Sequence, residues 1–170
     1  LSVLRLFIAE QKEHSKTSLE KNIMAEMQKL MHKLESDSQH FVTKVQVAML
    51  AQGNGMKVSL FNKYGEEIKK EVLSQGEKQL YISSLIKAII NESIQSLPIF
   101  IDTPLGRLDD EHIKNILVHY YPDLSQQVVV LSTNNEITPK RYKLIEAHVS
   151  NAYLIMNDGV KSSIVNGYFQ

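Results

Sequence analysis

Two strand-like apolar segments, Leu97 to Ile101 and Gln127 to Leu131, stand on either side of a helical pattern running from Asp109 to Tyr120. Near-continuous apolar runs of this length suit strands covered on both faces, since a half-solvated strand would alternate apolar with polar residues. Two strands joined through a helix pair in parallel, because the connection must carry the chain back to the same end of the sheet. That segment restricts the chain to an α/β fold with a parallel sheet core. Ahead of it, Glu77 to Ser93 reads as a helix whose buried face is Leu80, Leu85, Ile86, Ile89 and Ile90. Behind it, Thr138 and Pro139 supply an N-cap and a first-turn proline for a helix reaching about His148.

Antiparallel additions are expected on both sides of this core. VQVAML (Val45 to Leu50), Gly53-Asn54-Gly55, MKVSLFN, Tyr64-Gly65 and a charged stretch ending at Lys70 form β-rich runs broken by turn residues, the pattern of a meander. Asn157-Asp158-Gly159 separates AYLIM from VKSSIV, a hairpin signal. Near the N-terminus, from Leu19 onward, Ile23, Met27, Leu30 and Leu34 recur at steps of four, three and four until Asp37 lands on the seam. This spacing fits either a coiled-coil arm or an amphipathic helix packed on its own domain. Met24, Met27 and Met31 fit helix packing better than a binding groove. The expected division is 1–43 as a helix at the distal end of a coiled-coil arm and 44–170 as the globular lobe.

Composition then removes whole classes of function. With 43% hydrophobic and 22% charged residues the chain has material for a core and is no disordered tail. Nineteen basic and nineteen acidic residues cancel, so any nucleic-acid contact must be local. The absence of cysteine excludes disulfides, thiolate catalysis and cysteine-bound zinc, and it suits the cytosol. The six histidines lack a zinc-ligand spacing, and His112 is expected at the surface. No apolar run approaches the roughly 20 residues that span a bilayer, so a membrane is not an expected partner. Leu1 rather than Met opens the chain, which reads as a piece of a longer protein.

Two stretches carry chemistry. In Leu73-Ser74-Gln75-Gly76-Glu77-Lys78-Gln79, a serine and a glycine two apart lie at the start of a long helix. Unpaired backbone N–H groups and the positive dipole end suit an anion there, with the Ser74 hydroxyl and the close approach that Gly76 permits. Ser74 and Glu77 also satisfy an ordinary capping box, which needs no ligand. In the second stretch, Ile99-Phe100-Ile101-Asp102-Thr103-Pro104, an aspartate ends a buried strand, where open α/β sheets bind ligands. Asp102 is a candidate Mg²⁺ site through water, or else a strand-end aspartate that caps the next turn. The basic cluster Lys140, Arg141 and Lys143 reads as solvated surface before phosphate contact.

Together, Leu-Ser-x-Gly-Glu-Lys-Gln, a helix, an apolar strand and Asp-x-Pro, with Leu-Asp six and seven positions after the aspartate, resemble the distal half of an ABC-type ATPase head. The pattern is most similar to the SMC-like ATPases of DNA maintenance, whose heads are split in sequence by a long coiled coil. The resemblance implies the C-terminal lobe of an ABC/SMC-like head of the P-loop NTPase type. By position, Ser74, Gln75, Gly76 and Glu77 match the signature motif that meets nucleotide held on a second head. Asp102 matches the Walker B aspartate, Gly106 to Asp109 the D-loop and Thr133 the switch position. Arg107, within the D-loop match, has either a contact with the second head or an intra-lobe salt bridge to make. LPIFIDTPLGRLDDEH, HYYPDLSQQVVVLSTNNEI and the terminal Gly167-Tyr168-Phe169 further resemble the DndD family, ATPases of bacterial DNA phosphorothioation systems.

The resemblance implies ATP and Mg²⁺ as cofactors, and three sets of partners: an N-terminal Walker A half, a second head in a homodimer, and DNA with other DNA-modification proteins. It implies a cytoplasmic, bacterial setting, with association to the nucleoid. Two departures stand out. Thr103 occupies the place where most ABC ATPases carry the glutamate that polarises water, and losing a positioned base costs about 10²–10⁴-fold in rate. Thr133 replaces the switch histidine. The catalytic candidates by position are Thr103 itself and Asp109, with Asp110 and Glu111 close by. No G-x-x-x-x-G-K-[ST] occurs, so this chain alone is not expected to hold ATP tightly. Alternatives within the same fold are an ATPase of DNA repair, recombination or anti-phage defence, and a nucleotide-gated scaffold with little hydrolysis.

Overall fold

The computed structural model describes residues 2–31, 42–50, 55–93, 96–103 and 105–168. Leu34 and Asp37 of the helical seam, Gly53 and Asn54 of the first turn, Pro104 and Phe169 lie outside the described residues.

A long helix, α1 (Ser2–Leu30), opens the chain. Its first turns carry Val3, Leu4, Leu6, Phe7 and Ile8 into solvent, whereas Ile23, Met27 and Leu30 are buried in the core. The helix therefore begins well before Leu19. Polar side chains fix its docked half: Ser18 Oγ and Asn22 Nδ2 each donate to Glu92 Oε1 at 2.6 Å. Glu20 Oε1 accepts from the Val47 backbone N–H at 2.7 Å, so a helix side chain satisfies a donor on the strand beside it.

That strand belongs to the expected meander of β1 (Lys44–Met49), β2 (Met56–Phe61) and β3 (Glu67–Ile68), antiparallel throughout. Its register places Val45 opposite Leu60 and Val47 opposite Val58, and all four are buried, as a two-residue period with one covered face requires.

The next helix, α2 (Gln75–Glu92), packs against α1. Its buried residues are Leu80, Tyr81, Ser84, Lys87 and Ala88. Of the expected buried face, Leu80 is buried and Leu85 and Ile90 are partly so, but Ile86 and Ile89 are each 42% exposed. Small Ser84 and Ala88, both 0% exposed, occupy the inner face, and the Ile82, Ile86 and Ile89 stripe faces outward. Lys87 is buried with its charge answered by Asp123, whose carboxylate lies 3.1 Å away and whose backbone carbonyl also accepts from it.

The crossover follows as expected. β4 (Ile99–Asp102) pairs in parallel with β5 (Val128–Leu131), with Ile99 opposite Val128 and Asp102 opposite Leu131. Between them run α3 (Asp110–Asn115), a π-helical segment Ile116–Tyr120 and α4 (Tyr121–Leu124). Ile113, Ile116 and Leu117 are buried. The wide turn precedes Pro122, whose ring lacks an N–H and crowds the carbonyl four residues back, so an α-turn cannot close there. The expectation of strands covered on both faces is not met among the described residues. Phe100 is 69% exposed, because the parallel sheet has two strands among the described residues and one of its faces lies open.

After β5 come α5 (Pro139–Ile145), capped by Thr138, a 3₁₀ turn Glu146–His148, and the hairpin of β6 (Tyr153–Asn157) and β7 (Ser162–Asn166). Gly159 turns this hairpin at φ 88°, a conformation that side chains resist. The fold is α/β, with antiparallel additions to a parallel core.

Docking of α1 is testable by mutation. Ile23→Ala should lower unfolding free energy by about 2–5 kcal/mol in urea titrations, whereas Leu6→Ala in the solvated half should change it by about 0.5 kcal/mol or less.

Candidate functional site

The parallel pair brings its candidate residues together at one end. At the carboxyl end of β4, Asp102 is exposed and its Oδ1 accepts from Thr103 Oγ1 at 2.9 Å. The Thr103 N–H donates to the Leu131 carbonyl at 3.0 Å, so the turn is bonded to the end of β5. Thr103 has φ 49°, a left-handed conformation that costs a β-branched residue on the order of 1–3 kcal/mol. The sheet's last ladder bond and the Asp102 contact are the interactions that hold it there.

Beside it, the loop after β5 is organised by Glu136, a carboxylate only 7% exposed. Glu136 Oε2 accepts from the Thr133 N–H at 3.1 Å and from Thr133 Oγ1 at 3.2 Å, while Oε1 accepts from the Leu105 N–H at 2.9 Å. The same loop is held by Tyr168, whose hydroxyl donates to the carbonyls of Ser132 (3.2 Å) and Thr133 (3.1 Å) and whose ring stacks on Tyr142. Arg141 donates to the Glu136 carbonyl at 2.9 Å and pairs with Asp110 at 2.7 Å. It is therefore bound into the lobe rather than free surface charge.

The helix start at Ser74 lies against the loop after β4. Ser74 caps α2 through a complete capping box: its Oγ accepts from the Glu77 N–H at 3.2 Å and Glu77 Oε2 accepts from the Ser74 N–H at 2.7 Å. The ligand-free reading of these two residues thus describes their contacts in the lone chain. Gly76 lets the loop approach closely: a Cβ there would come 3.1 Å from the Arg107 carbonyl oxygen, so a larger residue requires the loop to give by a few tenths of an ångström. Arg107 Nη1 donates to Gln75 Oε1 at 3.0 Å, an intra-lobe hydrogen bond instead of a salt bridge. Through these contacts Ser74 to Glu77, the loop from Leu105 to Asp109, and Thr133 form one continuous strip.

Asp109 caps α3, accepting from the His112 N–H at 2.9 Å, with His112 Nδ1 at 2.7 Å from the same oxygen. The bond from the His112 backbone holds its carboxyl below the usual range, despite an opposing push from partial burial. A carboxylate stabilised in this way is a weaker proton acceptor. His112 is half-buried against it, where sequence placed it at the surface.

Asp102 fits a divalent cation of the kind that keeps most of its water. It offers one exposed carboxylate at a strand end, and its second oxygen has no protein partner among the described residues. No cluster of three or more acidic, histidine or cysteine side chains occurs among the described residues. Mg²⁺ bound by one carboxylate, water and phosphate oxygens suits such a site, whereas an all-protein cage does not.

Glu136 and Tyr168 had no assigned role in the sequence. A signal existed for the first: Thr133-x-x-Glu136 repeats the Ser74-x-x-Glu77 spacing of a capping pair.

No protein-family model and no curated protein matches the sequence. Solved structures do match in shape. The Smc head domain with a coiled coil and joint from Pyrococcus yayanosii aligns over 97% of this chain with a TM-score of 0.59 and 18% identity. The fold is that of an SMC head. A second Smc head, from Pyrococcus furiosus, with an extended coiled coil and bound to the C-terminal domain of ScpA, aligns over 97% with a TM-score of 0.57 and 16% identity. A chain from work on ATP-driven dimerization and DNA-stimulated activation of SMC ATPases aligns over 94% at 0.51 and 17%. This chain spans 31% and 40% of the two Pyrococcus chains, and 87% of the third. The architecture is the C-terminal lobe of such a head.

The capping role of Asp109 predicts a pH-dependent stability. Its folded-state pKa is depressed, so the contribution is present above the ordinary value of 3.8 and lost as pH falls through the lower folded value. Asp109→Ala should therefore cost about 1 kcal/mol near neutrality. In denaturant titrations the gap to wild type should close in acid.

Proposed function

We propose that this chain is the C-terminal half of an SMC-like ATPase head, which binds and hydrolyses ATP between two engaged heads. The observation that carries the reading is the strip from Ser74 through Arg107 to Thr133, beside Asp102 on the same sheet end. Asp102 would orient Mg²⁺ and the Thr133 hydroxyl would meet the γ-phosphate of the head's own nucleotide. The Ser74 hydroxyl and the backbone N–H groups at the start of α2 would meet the nucleotide of the opposite head. ATP then favours the engaged state by its greater affinity for it.

Open surface supports a missing half. Leu97, Phe100 and Leu131 around the parallel pair and Ile82, Ile86 and Ile89 on α2 are all exposed. Apolar surface gathered in this way calls for cover. An N-terminal half bearing the Walker A loop is the partner we assign to it, and that half would also supply the phosphate cradle this sequence lacks. Among the described residues no helix is long and apolar enough to cross a membrane, and we assign the lobe to the bacterial cytoplasm.

Within this class the finer reading is an ATPase coupled to DNA phosphorothioation, supported by the DndD-like segments around Asp102 and Thr133. DNA and other modification proteins would then be its partners. Thr103 favours one other reading, a nucleotide-gated scaffold, because its hydroxyl is bonded to Asp102 and threonine is no proton acceptor near neutrality.

Joining this lobe to its upstream half allows a direct test. ATP should drive dimerisation of the joined protein, measured by light scattering, and Ser74→Arg should abolish it; equal dimerisation in both would remove the signature helix from the mechanism. Steady-state phosphate release separates the two readings, since turnover of roughly 1–10³ per second would exclude the scaffold.

A further inference from the structure

Glu136 is buried without a cationic partner among the described residues, an arrangement that is costly unless the carboxylate is fully hydrogen-bonded. It is answered by three donors on two loops: the Leu105 N–H on one oxygen, the Thr133 N–H and hydroxyl on the other. The chemistry of the bridge is specific. Glutamine has one acceptor oxygen and an NH₂ group that would face an N–H donor, so it could hold one loop but not both. Aspartate is one methylene shorter. The bridged loops lead to different ends of the strip. Thr133 lies two residues past the end of β5, whose Leu131 carbonyl accepts from the Thr103 N–H, and two residues past Leu105 the Arg107 side chain and carbonyl lie against Gln75 and Gly76.

We propose that Glu136 is a positioning residue that couples the two nucleotide sites of an engaged pair of heads. A shift of Thr133 on meeting the γ-phosphate of its own head is passed through the carboxylate to Leu105. From there it reaches Arg107 and the start of α2, which faces the nucleotide of the other head. This inference rests on the ATPase reading above. It adds that occupancy of one site sets the geometry of the second through one side chain.

The test uses the full-length protein with both halves. Glu136→Gln should keep its melting temperature within about 3 °C of wild type. Its ATP affinity, measured by equilibrium binding, should stay within about threefold, while kcat falls by about tenfold or more and the Hill coefficient for ATP drops to one. A kcat and Hill coefficient unchanged from wild type would overturn the proposal, as would a fall in kcat that only tracks lost ATP affinity and lost fold. A mutant cycle provides a second readout. Thr133→Ala and Arg107→Ala should be non-additive in kcat by about threefold or more in the wild-type background and additive in the Glu136→Gln background. If Glu136→Gln does not fold, the wild-type cycle decides alone, and additivity there overturns the proposal. A wild-type protein that hydrolyses ATP with additive variants defeats only the coupling; one that never binds ATP defeats the ATPase reading as well.

Discussion

Parallel pairing of β4 with β5 is the constraint on which the rest of this lobe depends. Parallel strands end on the same side, so the loops that follow Asp102 and Leu131 must share one rim of the sheet. A helix has to cross between them to bring the chain back, and it begins at Asp109 because a carboxylate is available there as cap. The antiparallel meander and the final hairpin impose no such condition. They extend the lobe, whereas the pair and its crossover decide which side chains can meet at one place.

At that rim the lobe departs from what would be most stable. Thr103 takes a backbone conformation suited to glycine or asparagine. Glu136 is a buried carboxylate that no lysine or arginine side chain neutralises among the described residues. Elsewhere the same chain solves burial of charge differently, pairing Lys87 with Asp123 and Glu26 with Lys29. The contrast is physical: an ion pair can lie anywhere its partner reaches, but a carboxylate held by backbone N–H groups fixes the loops that supply them.

Element types were legible in the sequence because each had a local cause. The Ser74 and Thr138 caps, the turn glycine at 159 and the apolar pattern around Ile113, Ile116 and Leu117 all act within a few residues of themselves. Faces were harder to read. Periodicity marked Ile86 and Ile89 as apolar but not which apolar face of α2 would be covered, and small Ser84 and Ala88 turned inward. Full coverage of β4 was inferred from its continuous apolar run and needs a covering layer that the described residues do not supply. The candidate residues were picked out one by one, through spacing and resemblance. Their connection through Glu136 was not, because Leu105 and Glu136 are thirty-one positions apart and nothing in either neighbourhood announces the other.

The seating of α1 has a mechanical consequence. Glu92 grips Ser18 and Asn22, Glu20 grips the meander, and Ile23, Met27 and Leu30 set the inner face of the rod into the core, so it cannot pivot independently of the body. Within the described residues, the sixteen from Ser2 to Thr17 project beyond Ser18 at 1.5 Å each, about 24 Å of stiff lever. A tilt of the base by about 10° would sweep the far tip through roughly 4 Å. Small rearrangements beneath the rod are thus magnified into displacement at its end.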